Sequence, residues 1–502
     1  MATIRTNAIL YSSCLKSSSP YRRGDTRTIA ANSLALCPKS AFASSKPSKR
    51  VSSFRTRRTL VVSNVLEAVV SRPDNQSRVL NVLPDLDKRP GVIDSQYFKE
   101  GTSVAYWKDY SLPTRPEALA SRFAEELSIT RNEHGKLEAV PYWVYHLFRT
   151  SFFTLQGALG LAVATVNGGA SLSTEMQDPT AAAMLASRWF VEALVVYRQD
   201  YRNIKEGLYA LPFDMEPRHR QFNPLFTLQQ SLRFFEEATG TLKRKAEKAS
   251  TEVWMHDTNL YPSYYRHTFH YQTDGWLSDK SAMVYETSTE TLFVGRQDAM
   301  QRHTMVPFGH FMKGRDQKST KVLEIACGTG RFHTFLRDSY PALSTCCSDL
   351  SPFYLAQAKK NMDYWESFRG ADVASEGSTS FVQANAELLP LEDASFDAVL
   401  SVYLFHELPM SARRNVIKEV ARVLKPGGMF VLTDSLQLGD TPSKDESMGN
   451  FGDFAEPHYR GYINTDFGKL ASEFGLVPDT KELASSTKAM SFYKPKEKPS
   501  SI

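Results

Sequence analysis

Cysteine is scarce in this chain. The five in 502 residues are Cys14, Cys37, Cys327, Cys346 and Cys347. Two sit in a basic leader and three flank one loop, where the adjacent Cys346 and Cys347 cannot easily bridge. A disulfide framework is therefore excluded, and reduced thiols are expected. His, Cys, Asp and Glu nowhere stand at metal-ligand spacing, so no metal is expected. No uninterrupted apolar run reaches the ~18 residues that span a bilayer. The nearest, 152–166, contains Thr154 and Gln156 and follows His146 and Arg149. It reads as a buried or surface-docking helix, which leaves peripheral membrane contact open but no transmembrane span. Acids are nearly missing from the N-terminus: before Leu66 there are twelve basic residues and one acid, Asp25. That stretch carries net +11 and the whole chain only +5, so the remainder is net −6. A mildly acidic body excludes the basic face that nucleic-acid binding requires.

Residues 1–65 are rich in Ser, Thr, Arg and Ala and lack a compact apolar segment. This is the composition of a plastid transit peptide, disordered in itself, and it predicts a chloroplast protein. The length leaves room for two or three domains. Over 80–260 the apolar spacing predicts a mainly helical domain, with helices at 117–127, 143–166, 179–209 and 227–248. Residues 261–318 open with a block dense in Tyr, Trp and His, including Tyr264, Tyr265, His270, Trp276 and Tyr285. Aromatic side chains with polar tips suit either a cover over a ligand or a joint between domains.

From Ser319 the pattern alternates strand and helix, which predicts a parallel sheet with helices on both faces. Its organising stretch is Lys321–Gly330, KVLEIACGTG. A buried strand empties into a turn with Gly328 and Gly330, and a helix follows. Strand, glycine turn and helix bring a nucleotide-like ligand against bare backbone. Asp349 lies 21 residues past Gly328, close to the ~20 expected for an acid that grips a ribose diol. The third glycine of G-x-G-x-x-G is missing, because His333 stands there. Further strands are expected at 343–347, 379–383, 396–402, 429–433 and 489–494. Helices are expected at 352–360, 411–424 and 465–474, and a loop at 370–380.

The run E-I-A-C-G-T-G with D-L-S after it resembles the first two motifs of class I S-adenosylmethionine-dependent methyltransferases. NAELLPLEDASFDAVLS and LKPGGMFVLTD resemble later phrases of that family, in the same order. The resemblance covers Ser319 to Lys494, within a domain expected at 319–496, and is of the methyltransferase type 11-like kind. The FHYQTDGWLS block resembles segments ahead of such domains in plant and cyanobacterial proteins with a helical N-terminal extension. It implies an α/β, Rossmann-like, mostly parallel seven-stranded sheet and S-adenosyl-L-methionine as cofactor. The implied cofactor-binding residues are Glu324, Ala326, Gly328, Gly330, Asp349, Leu350, Asn385, Ala386 and Ser401. Asn385 replaces the usual Asp, and Ala326 the first glycine of the loop. The resemblance also implies that 261–318 folds over the cofactor as a lid.

Methyl transfer from a sulfonium needs position and, for an O–H or acidic C–H acceptor, a base. His406, Glu407 and His270 are the candidates, in that order, since an imidazole titrates near neutral pH. Glu456, His458, Tyr459 and Tyr462 offer a second wall. The acceptor is expected to be small and apolar or aromatic, of quinol or phenolic type. Two other readings stand beside this one. One is an NAD(P)-dependent oxidoreductase, against which the missing third glycine counts. The other is a non-catalytic scaffold or sensor that binds S-adenosylmethionine. The sequence gives no oligomeric state.

Overall fold

A computed structural model describes residues 97–167, 179–248, 260–448 and 455–496, with side chains undescribed at 179–183 and 447. The expected transit peptide lies outside these residues. The strands are β1 (Lys99–Glu100), β2 (Lys321–Ile325), β3 (Ser344–Asp349), β4 (Ser378–Gln383), β5 (Phe396–Val402), β6 (Leu424–Ser435), β7 (Val477–Ala484) and β8 (Thr487–Tyr493). They form one sheet in the order β1-β7-β8-β6-β5-β2-β3-β4. Among the described strands only β8 runs against the others, pairing antiparallel with β6 and β7. The expected seven strands are therefore joined by an eighth, the two-residue β1, which adds an edge beside β7. β2 is central because its side chains are apolar on both faces: Val322, Leu323 and Ile325 are all fully buried.

Among the described residues, the longer helices ahead of β4 position the site. They are α1 (Thr102–Lys108), α2 (Pro116–His134), α3 (Val140–Val166), α4 (Pro179–Lys205), α5 (Pro224–Glu247), α6 (Asp279–Leu292), α7 (Gln297–Arg302), α8 (Met305–Met312), α9 (Arg331–Ser339) and α10 (Pro352–Arg369). α10 starts where the sequence says it should. The Ser351 hydroxyl accepts the Tyr354 N–H at 3.2 Å and Pro352 fills the first helical position. It runs nine residues further than expected, because Ala358, Met362 and Trp365 continue its buried face. α11 (Met410–Val423) follows β5, and α12 (Phe467–Ser472) precedes β7. The expected loop at 370–380 contains a single helical turn, Ala371–Ala374.

The helical half and the sheet share one core. Ala193, Val195, Val196 and Tyr197 of α4 belong to the same buried cluster as Leu323, Ile325, Phe405 and Leu432. Ion pairs lock the layers. Arg302 of α7 donates to Asp200 of α4 through two bonds, 3.0 and 2.6 Å, and Tyr142 of α3 donates to the same carboxylate at 2.6 Å. Thr304 ties this layer to Thr433 of β6 at 2.8 Å. Among the described residues one helical stretch, Leu137–Val166, is by length and composition apolar enough to cross a membrane. Its inner face is polar and bonded into the fold: Thr150 meets the Tyr197 hydroxyl at 2.7 Å, and Gln156 donates to Thr291 at 2.7 Å.

Candidate active site

A cavity of about 160 Å³ opens at the carboxyl ends of β2, β3 and β5. The chain order reverses there, with β3 on one side of β2 and β5 on the other. This is the crevice where open α/β sheets take ligands. Its floor is the turn between β2 and α9. Gly328 has φ +56°, and a Cβ on it would meet nothing within 4 Å. It therefore leaves bare backbone facing open space. Gly330, at φ +71°, does different work. A Cβ there would stand 2.9 Å from the Cβ of Ala358, so this glycine lets α9 approach α10. Gly330 does not line the cavity, which corrects the expectation that both glycines meet a ligand.

Asp349 ends β3 and faces the cavity. Its Oδ2 accepts the Gly328 N–H at 2.8 Å and its Oδ1 the Ser351 N–H at 2.8 Å. Burial pushes this carboxyl up to about 6, and those two donors oppose the rise. Each oxygen keeps a lone pair for a ligand hydroxyl. Glu324, Ala326, Leu350, Asn385 and Ala386 line the same space. Glu324 is turned to the buried His333, whose Nδ1 lies 2.7 Å away. Thus the residue that fills the third glycine position supports the strand's acid. Asn385 Oδ1 already accepts the Glu387 N–H at 2.9 Å, which occupies one of its two lone pairs. Ser401 is fully buried and does not line the cavity, although Val402, Tyr403 and Leu404 after it do. Strand alternation turns its side chain away.

Tyr264, Tyr265, His270, Trp276 and Tyr285 of the aromatic block form the facing wall. The Ser351 hydroxyl donates to the Trp276 carbonyl, and Tyr264 donates to Glu387 at 2.5 Å, so the segment is pinned to the sheet. Three non-glycine residues of the cavity hold left-handed backbone: Ala326, His270 and Tyr403, with φ of +51°, +52° and +56°. Strain of this kind costs about 1–3 kcal/mol each and persists where the surroundings demand it.

The three base candidates meet. His270 Nε2 lies 2.7 Å from Glu407 Oε1, and His406 Nε2 lies 3.4 Å from the same oxygen. The other nitrogens are also held: His406 Nδ1 is 2.6 Å from Asp434, and His270 Nδ1 is 2.9 Å from Glu456. Burial alone would lower both imidazoles. The surrounding carboxylates win, raising His406 well above its usual value and His270 to about 10. Burial likewise opposes ionisation of Glu407, yet the two imidazoles hold it well below the carboxylate range. His406 is thus not a free imidazole: Asp434 holds its Nδ1 and Glu407 faces its Nε2. Asp434, on β6, was not among the expected site residues. Of the second expected wall, Glu456 pairs with His270, and the buried rings of Tyr459 and Tyr462 stand edge-on to His406 at 6.2 and 6.1 Å between centroids.

Residues 322–428 match the family described as methyltransferase domain. The chain is 31% identical over 166 residues to an uncharacterized methyltransferase of Synechocystis sp., covering 32% of this chain and 69% of that protein. It is 27% identical to a fatty-acid O-methyltransferase of Mycolicibacterium smegmatis, over 31% of this chain and 52% of that protein. It is 29% identical to a ubiquinone/menaquinone biosynthesis C-methyltransferase of Desulfotalea psychrophila, over 31% of this chain and 56% of that protein. The chain thus spans about half the length of the latter two. A Rossmann-like sheet with one reversed strand, a glycine turn answered by an aspartate, and a relative matched over more than two thirds of its length make this chain a member of the class I S-adenosylmethionine-dependent methyltransferases.

Proposed function

We propose that the cavity holds S-adenosylmethionine with its ribose on Asp349 and its adenine beside Asn385 and Ala386. The observation that carries this is the pair formed by Gly328 and Asp349: open space over a bare Cα, and a buried carboxylate with lone pairs to spare. When bound, the cofactor supplies a methyl group on a positively charged sulfur. The chain's own part is to position the acceptor, to exclude water and to hold protons. Tyr264, Tyr265, Trp276 and Tyr285 exclude water over the cradle. Glu407, with His270 and His406, fixes the polar group of the acceptor. Titration of the purified protein with S-adenosylmethionine tests this reading, and no saturable binding at high micromolar cofactor would defeat it.

The acceptor is a small apolar or aromatic molecule of quinol or phenolic type. The aromatic wall supports that choice, as do relatives whose names refer to fatty acids and quinones. A second cavity, lined by Phe148, Phe152, Phe153, Phe222 and Phe226, shares Glu286, Glu290 and Arg331 with the first. It suits an apolar tail. Along the same two helices Val144, Phe148, Leu155 and Leu159 of α3 and Leu225, Leu228 and Leu232 of α5 are exposed. Residues 140–166 contain no acid. An apolar face of this size, free of negative charge along α3, fits a lipid surface. Flotation with anionic phospholipid vesicles should recover the protein, and Leu155→Asp with Leu228→Asp should reduce that recovery. The acid-poor leader supports a plastid location, which a fluorescent fusion of the full chain would test.

A further inference from the structure

We propose that His270, His406 and Glu407 form a binding site for one divalent transition-metal cation, of the zinc class, beside the cofactor cradle. The site does not depend on the identity of the acceptor, nor on the cofactor reading. One ligand atom from each residue lies within 4.8 Å of the others. Two imidazoles and a carboxylate are a borderline-soft donor set that suits zinc, iron, cobalt or nickel better than magnesium or calcium.

The surroundings are those of a built site. Each imidazole is gripped at Nδ1 by its own buried carboxylate, His406 by Asp434 and His270 by Glu456. Both Nε2 atoms are thereby aimed at Glu407. Outer carboxylates of this kind orient metal-bound imidazoles and raise their basicity. Glu407 Oε2 is buried and has no hydrogen-bond partner among the described residues. A carboxylate oxygen left so would cost about 1–3 kcal/mol or more, unless something positive is meant to meet it. His270 reaches the cluster on left-handed backbone, φ +52°, so strain is maintained to keep it there.

The fit is close. Zinc bonds of ~2.0–2.1 Å set tetrahedral ligand atoms roughly 3.3 Å apart. The His406 to Glu407 separation of 3.4 Å already matches. The His270 to Glu407 distance of 2.7 Å is a hydrogen bond, closed by a proton at the position a cation would take. Three protein ligands leave a fourth position free for an oxygen of water or acceptor. His270 stands on the aromatic cover and Glu407 follows β5, so the cation would also fasten the cover to the sheet. A second group, Glu324, His333 and Cys347, carries no such reading. It is fully buried, and its imidazole already bridges Glu324 and Thr345.

The test uses the full-length protein stripped with chelator, then titrated with Zn²⁺ by calorimetry and with Co²⁺ by visible absorption. One equivalent should bind, with the d–d bands of four- or five-coordinate Co²⁺. His406→Gln and Glu407→Gln should each weaken binding at least about 100-fold, and Glu456→Gln about 10–100-fold. Asp349→Ala should bind metal as the parent does, so loss of cofactor binding and loss of metal binding are told apart. Should the variants fail to fold, the parent alone still decides: Zn²⁺ should slow proteolysis within 260–303. Absence of saturable uptake, uptake undiminished by Glu407→Gln, or no protection of that segment would each overturn the site.

Discussion

The cofactor cradle and the His–Glu cluster line the same cavity, yet they are written in the chain in opposite ways. The ribose end of the cradle is one continuous stretch, Glu324 to Ser351, closed by two backbone-to-carboxylate bonds. The cluster is collected from His270, His406 with Glu407, Asp434 and Glu456, on four separate segments. A further assembled feature joins the helical half to the sheet. There Arg331 pairs with Asp298 at 2.6 Å and with Asp214, while Arg149 pairs with Asp298 and Glu290. Local features depend on turn geometry and caps. Assembled ones depend on the whole fold being in place, and they should fail with it.

The largest effect tests the second half of that statement. Arg331→Met leaves Asp214 and part of Asp298 without their cation in a buried setting. The loss should be about 3–5 kcal/mol of stability, read by denaturant unfolding. The same variant should lose the His–Glu cluster and the cradle together at its lowered midpoint. If cofactor binding outlasted the helical half, the two halves would be independent and the shared core would be misjudged.

Asp349→Ala comes next and tests the first half. It removes the acceptor for both ribose hydroxyls and strands the Gly328 and Ser351 N–H groups. Charge-assisted bonds of about 1.5–3 kcal/mol each imply at least a ~100-fold loss of cofactor affinity. The far-ultraviolet spectrum should not change. Unchanged affinity by calorimetry would mean that the ribose sits elsewhere.

This contrast explains what could be read from the sequence. The cradle was legible because spacing along one strand–turn–helix encodes it, and the Ser351–Pro352 start of α10 is equally local. The reach of α10 to Arg369 was not, since burial of Met362 and Trp365 against the sheet decides it. β7 was missed because VPDTKELA lacks alternation and carries a proline. Pairing with β8 and β1 makes it a strand. Asp434 was missed for the same reason as the cluster itself: nothing near it in the chain announces its partner. Even within the cradle, sequence spacing could not tell that Gly328 serves open space and Gly330 serves packing.

That distinction supplies a smaller, paired test. Gly330→Ala places a methyl group against Ala358 and forces φ +71° on a residue with a Cβ. The expected cost is about 1–3 kcal/mol of stability, seen as a lower melting temperature. Gly328→Ala meets no atom within 4 Å, so it should pay for its φ of +56° alone and melt closer to the parent. Its methyl group would intrude on the ligand, however, so it should lose more cofactor affinity than stability. Equal melting of the two variants would break the assignment of separate roles.

The smallest effect is a dependence on pH. Burial holds the Asp349 carboxyl at about 6 in the free protein, against ~3.9 in an unfolded chain. The native state therefore keeps this proton to higher pH than the unfolded state does. The contribution of Asp349 to stability is greatest below about pH 4 and is lost as pH rises through about 6. Cofactor affinity must run the other way. Only the ionised carboxylate can accept both ribose hydroxyls, so affinity should be flat above about pH 7. Below about 6 it should weaken by up to roughly tenfold per pH unit, because each binding event must first release a proton. Calorimetric titrations from about pH 5 to about pH 8, repeated in two buffers of different ionisation heat, measure both the slope and the proton released. Asp349→Asn should bind weakly and with no slope in this range. An affinity that stayed level down to about pH 5 would place the carboxylate outside the binding step, and the cradle would then be a turn that merely resembles one.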